Sequence, residues 1–135
     1  MANTRLGSTV IYVEHGVKEV LDFYQAAFDL TIRYYDDALK FGELEAGGNF
    51  PTIMIASYAA GEYMVGEGFP RSADKRPQDV ELAFLMSDVP AAYARAIAAG
   101  AKPLRAPRVM PWGQTVAYVA SIEGTLIGLL TPIAK

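Results

Sequence analysis

Few side chains in this 135-residue chain can do chemistry, and their types narrow what that chemistry is. There is one histidine, His15, and no cysteine. Disulfides, thiolate metal ligation and a thiol nucleophile are thereby excluded. His15 lies in the turn Glu14-His15-Gly16, the place of a solvent-facing or capping imidazole. With no Gly-rich phosphate loop either, nucleophilic catalysis and nucleotide binding have no visible machinery. What remains is Glu81, a carboxylate alternating with apolar residues in Val80–Met86, and Trp112 in the segment Met110-Pro111-Trp112-Gly113-Gln114. Three readings of Glu81 are open. It holds an amine or guanidinium group of a ligand, it acts as a general base in metal-free chemistry, or it pairs with Arg105 or Arg108. Trp112, between a stiff proline and a bare glycine, is either a ring presented at a cavity rim or one buried under a loop. Tyr12, Tyr58 and Tyr118 are further candidate stacking surfaces.

These residues are positioned by a pattern that occurs twice. Ser8 to Val13 reads as a strand, followed by a helix from about Val17 to Asp29 whose apolar face is Val17, Val20, Leu21, Tyr24 and Phe28. Three strands are expected next, at Leu30–Tyr35, Phe41–Ala46 and Thr52–Tyr58, punctuated by Asp36-Asp37 and Gly47-Gly48-Asn49. The pattern returns with a strand at Val80–Met86 and a helix start at Ser87-Asp88-Val89-Pro90. That helix runs to about Ala99 and stops at Gly100. A short strand near Lys102 to Arg105 follows, then Thr115–Ala120 and Leu126–Leu130, joined by Ser121-Ile122-Glu123-Gly124. His15 and Asp88 mark equivalent points, which sets the repeat period at about 70 residues.

The expected fold is α+β, two tandem βαβββ modules (about 1–58 and 80–135) forming a curved half-barrel sheet around a cleft. The whole of 1–135 is read as one domain. Residues 59–79 lack periodicity and are expected to be a linker or a lid, the latter using Tyr63, Met64 and Phe69. Strand alternation sends Val80, Leu82, Phe84 and Met86 toward the helix and Glu81, Ala83 and Leu85 into the concavity. By the repeat, Ser8, Val10 and Tyr12 face the concavity in the first module.

Composition sets outer limits on partners. A hydrophobic content of 52% and a net charge of −3 go with a mean hydropathy of +0.16. So much apolar surface suits a subunit interface or a ligand cavity. No basic stripe offers itself to nucleic acid. No apolar run is long enough to span a bilayer, and there is no signal-like apolar start, so a cytoplasmic location is expected.

The order of elements, together with Phe23-Tyr24, Ser87-Asp88-Val89 leading to Ala91-Ala92-Tyr93-Ala94, Ala98-Ala99-Gly100-Ala101 and Pro111-Trp112-Gly113-Gln114, resembles the vicinal oxygen chelate superfamily. That superfamily includes glyoxalase I, extradiol dioxygenases and the fosfomycin and bleomycin resistance proteins. The Pro-Trp-Gly-Gln turn and the Glu-Gly hairpin are most similar to the bleomycin-resistance-like branch. The chain departs from the family at Asp29, where glycine is common, and at Ser121–Gly124, where Asp-Pro-Asp-Gly is common. The resemblance implies metal ligands on the first and fourth strands of each module, which here fall on Ser8, Met54, Glu81 and Gly128. Only Glu81 is a competent ligand. The resulting expectation is a metal-independent binding or sequestering protein without cofactor. Its ligand, planar and cationic, is held by Ser8, Tyr12, Met54, Glu81 and Trp112. The catalytic residues are left unknown, and the alternative is a divalent-metal lyase, isomerase or dioxygenase of the glyoxalase type. Family habit also implies a homodimer.

Overall fold

The computed structural model describes residues 6–48, 51–67 and 80–133. The elements run β1 (Ser8–Val13), α1 (Val17–Phe28), β2 (Thr31–Asp36), β3 (Phe41–Glu45), β4 (Thr52–Ser57), α2 (Tyr58–Val65), β5 (Glu81–Leu85), α3 (Val89–Ala98), β6 (Lys102–Val109), β7 (Thr115–Ala120) and β8 (Leu126–Leu130). Two four-stranded sheets result, ordered β1-β4-β3-β2 and β5-β8-β7-β6. The same topology occurs in each, with the first strand parallel to the last and the other neighbours antiparallel. The architecture is α+β, a βαβββ order used twice, as the repeat predicts. Both sheets are open, since the first and second strands of each module are edges. The chain divides into two compact units, Met1–Gln25 with Asp29–Ser72, and Ala26–Phe28 with Ala73–Lys135.

In the first unit α1 buries Val17, Val20, Leu21, Phe23 and Tyr24. These recur every three or four residues and form one helix stripe. The stripe meets a sheet face whose buried members include Leu44, Ile53 and Ile55. The approach is close at Gly42 of β3. A Cβ there would stand 2.5 Å from Leu21 Cδ1 and 2.9 Å from the Tyr34 carbonyl, so only glycine fits.

Where β4 was expected to reach Tyr58, it stops at Ser57, and the chain turns at once into α2. Ser57 is the cap: its Oγ accepts from the Ala60 N–H at 3.0 Å and donates to the Leu39 carbonyl at 3.2 Å. The start of the expected linker or lid is therefore helical. The expectation for 68–79 lies outside the described residues.

In the second unit the last turn of α1 belongs with α3, and Arg95 Nε donates to the Ala26 carbonyl at 3.0 Å. Phe28 and Phe84 rings pack in a tilted pair, 4.9 Å between centroids and 37° between planes. Asp88 caps α3 by accepting from the Ala91 N–H at 3.1 Å, and proline occupies the first turn. The core is Val89 and Ala96 of α3 against Ala117, Val119, Ile127 and Leu129, all completely buried. Strand β6 is longer than expected, eight residues rather than about four.

Candidate functional site

Register shows which side chains share the face of the second sheet turned away from α3. Three rows cross it. They are Glu81, Leu126, Ala120 and Lys102, then Ala83, Gly128, Tyr118 and Arg105, then Leu85, Leu130, Val116 and Arg108. Glu81, Ala83 and Leu85 are exposed on this face, as alternation predicts. The Glu81 side chain leans from its own row into the next. A Cβ on Gly128 would collide with the Glu81 carboxylate and come within 3.2 Å of Tyr118 Cε1. Gly128 is thus a bare floor over which the carboxylate lies, with the Tyr118 ring at its side. Among the described residues Glu81 forms no ion pair, so its pairing with Arg105 or Arg108 is not realised.

Trp112 stands elsewhere on the same unit, in the turn between β6 and β7. Trp112 is 59% exposed, which removes the reading of a buried indole. Its direction is fixed by a relay: Trp112 Nε1 donates to Gln114 Oε1 at 3.0 Å, and Gln114 Nε2 donates to the Thr131 carbonyl at 2.8 Å. Gln114 itself is buried, which holds the relay rigid. From the Tyr118 row to Gln114 is on the order of 13 Å along β7, at about 3.4 Å per residue. Glu81 and Trp112 are therefore not brought together.

The first unit carries Ser8, Tyr12 and Met54 on one face of its sheet. Val10, Met54, Glu43 and Tyr34 form one row there, and Tyr12, Ala56, Phe41 and Asp36 the next. Ser8 opens β1 opposite Thr52, and Tyr12 is the more exposed end. Sequence reasoning missed the polar group beside Met54. Glu43 accepts from Thr52 Oγ1 at 2.7 Å and lies 3.5 Å from Arg33 Nε, whose Nη1 is 3.7 Å from Glu45. Its signal was the alternation of glutamates in Phe-Gly-Glu-Leu-Glu, which puts Glu43 and Glu45 on one face. Tyr58 opens α2 and lies on neither face. His15 is at the surface, 3.7 Å from Glu14.

The four strand positions at which the resemblance places metal ligands carry a hydroxyl, a thioether, a carboxylate and no side chain at all. This donor set does not fit a divalent ion. No group of three or more histidine, cysteine, aspartate or glutamate residues suited to a metal occurs among the described residues. Shifted ionisations gather instead at the β2–β3 turn. The Lys40 ammonium donates to Asp37 at 2.7 Å and the Tyr35 hydroxyl at 3.1 Å, and both bonds hold that carboxyl below its ordinary value. A shallow hollow of about 360 Å³ lies there against the start of α1, but its lysines are already paired, Lys40 with Asp37 and Lys18 with Asp22.

Comparison with solved structures places this architecture among known folds. A glyoxalase/bleomycin resistance protein/dioxygenase family enzyme from Burkholderia phytofirmans PsJN has a TM-score of 0.77 at 20% identity, over 97% of this chain and 100% of that one. A glyoxalase-related enzyme from Fulvimarina pelagi gives 0.72 at 20% identity, over 92% and 86%. Hypothetical protein SA1046 from S. aureus gives 0.74 at 15%, over 98% and 95%. At these identities the likeness is one of fold. No curated protein matches the chain in sequence. No helix among the described residues is long and apolar enough to cross a membrane. The sequence profile of the Glyoxalase/Bleomycin resistance protein/Dioxygenase superfamily matches residues 5–129, and the chain belongs to that superfamily.

Proposed function

We propose that this chain binds a small molecule without a metal, and that Glu81 holds a cationic nitrogen of that ligand. The observation that carries the reading is the Glu81 carboxylate lying over Gly128 beside Tyr118, with no ion-pair partner among the described residues. Leu126, Ala120, Ala83 and Leu85 give that carboxylate an apolar surround on its face of the sheet. An ammonium bound there is desolvated on one side and meets a full negative charge, which makes a charge-assisted hydrogen bond. A planar ring extends the contact from the carboxylate toward Tyr118, whose ring lies beside it. The donor set at Ser8, Met54, Glu81 and Gly128 supports the metal-free half of the proposal. Ser8, Tyr12 and Met54 are proposed as a ligand-contacting surface of the first unit, and Trp112 in the β6–β7 turn as a contact for an elongated ligand of the second. A cytoplasmic location and a homodimeric state go with this reading.

The test is calorimetric titration with 4-(aminomethyl)biphenyl, with and without a strong chelator, on the native chain and on Glu81→Gln and Gly128→Ala. Binding should survive chelation and weaken about tenfold in Glu81→Gln, the scale of one lost charged pair. Gly128→Ala should weaken it too, because the new methyl displaces the carboxylate while leaving its charge. Stoichiometric zinc, nickel or iron in the purified protein, lost together with function on chelation, would replace this reading with a metal enzyme of the glyoxalase type.

A further inference from the structure

The face that carries Glu81 is charged at its other edge as well. Strand β6 ends each of the three rows with a cation, Lys102, Arg105 and Arg108 in turn. Strict alternation cannot do this, because Arg105 has the opposite parity from Lys102 and Arg108. Two register shifts make it possible, one between Pro103 and Arg105 and one between Arg105 and Arg108. Across the first, β6 advances two residues while β7 advances one, from Val119 to Tyr118. Across the second it advances three against two, from Tyr118 to Val116. Each shift therefore adds one residue to β6, as a bulge does; the first turns Arg105 out of the α3 side and the second keeps Arg108 on the same face. Pro103 and Pro107 bring no N–H to the ladder and are tolerated because β6 is an edge strand.

We infer that this face takes an amphoteric small molecule, with its cationic nitrogen at Glu81, its carboxylate at Arg105 and Arg108, and its apolar body across Tyr118. The inference rests on the reading of Glu81 as the holder of a nitrogen cation and adds the other end of the ligand. Three cations stand against one carboxylate on the same face, so a ligand that is only positive meets net repulsion there. An anionic group placed over β6 removes that penalty. Arg105 and Arg108 are exposed, and among the described residues neither forms an ion pair. Their planar forks match a carboxylate in two-point contact. The Glu81 carboxylate lies over β8, and β6 is two strands further, about 10 Å away at roughly 4.8 Å per strand. That is the span of a biphenyl bearing one group at each end. Cations, prolines and bulges on an edge also keep it from pairing with another sheet, and the experiment separates that role from ligand binding.

The native chain is titrated calorimetrically with three probes: 4′-(aminomethyl)biphenyl-4-carboxylate, 4-(aminomethyl)biphenyl and biphenyl-4-carboxylate. The amphoteric probe should bind at least about tenfold more tightly than either singly charged one. In the double variant Arg105→Gln with Arg108→Gln its advantage over the amine should vanish, while the amine binds as well as before or better. In Glu81→Gln its advantage over the carboxylate should vanish. Equal affinity for amine and amphoteric probe in the native chain overturns the inference, as does an advantage that survives the double variant. If the amine still binds through Glu81 in those cases, the proposed function stands and only the amphoteric ligand is lost. If none of the probes binds, both are lost. The native comparison of three probes needs no variant, so a folding defect cannot imitate the result.

Discussion

Trp112 and Glu81 show how differently two prominent residues can be placed. Glu81 sits on a strand, where alternation alone assigns its face, and the structure puts it on that face with its carboxylate over Gly128. Trp112 sits in a turn, where alternation gives no direction, and its orientation depends on the relay through Gln114 to Thr131. The span of about 13 Å along the strands from the Tyr118 row to Gln114 has a consequence for ligand size. A compact ligand held at Glu81 does not reach the indole, and only one extended along the strands does. Trp112→Ala should therefore leave the affinity of benzylamine unchanged while costing an elongated aromatic amine about 1–3 kcal/mol, the scale of a lost stacking contact with its buried area. Titration of both ligands against native and variant protein checks this, and an equal loss for both would mean that the indole folds over the Glu81 region. Arg105 was legible only as a candidate partner of Glu81. Its true position depends on one residue added to β6 between Pro103 and Arg105, which no periodicity signals.

At the scale of elements, what could be read in advance was whatever repeats. The buried stripe of α1 and the alternation of β5 follow from periods of 3.6 and 2, and both were legible. Helix α2 was not, because its apolar residues do not form a stripe: Ala60 and Gly61 are buried while Tyr63, Met64 and Val65 at its end are exposed. Its one local signal was Ser57, three residues ahead of the N–H it caps. The length of β6 was hidden for a related reason, since prolines inside a strand argue against a strand unless it is an edge. Glycine positions inside strands carry the opposite kind of information, a close approach that only the structure reveals. Gly42 is a place where α1 comes close to the first sheet, with Leu21 and the Tyr34 carbonyl at the missing side chain. Gly42→Ala should lower stability by about 1–3 kcal/mol through overpacking. Gly7→Ala, where nothing lies within 4 Å of the added methyl, should change it by less than about 0.5 kcal/mol. Urea unfolding of the two variants beside the native chain gives the comparison, and similar effects from both would remove the packing argument.

For the molecule as a whole, the duplication was the most legible feature, because a period of about 70 residues carries strand order with it. Association was legible only as an excess of apolar residues, 52% of the chain, without a location. The structure supplies locations. Tyr63, Met64 and Val65 at the end of α2, Val80 and Leu85 around β5, and Val109 with Trp112 at the β6–β7 turn are all more than half exposed. Residues of this size left in water carry a free-energy penalty of about 25 cal/mol per Å² of apolar surface, which a partner surface relieves. A second copy of the chain is the partner expected for such a surface. A symmetric pair uses the same surface twice, and a stable interface needs roughly 1,200 Å² in total. The expected solution species is a homodimer of about twice the 14.6 kDa chain mass. Light scattering at micromolar concentration measures it, and a monomeric mass there would sink the prediction. Dimerisation also separates two ways of completing the ligand site. If the open face of the second sheet is sufficient, the affinity of an amine probe is the same at protein concentrations above and below the dimer's dissociation constant. An affinity that falls as the protein is diluted through that range would mean that the second copy supplies part of the binding surface.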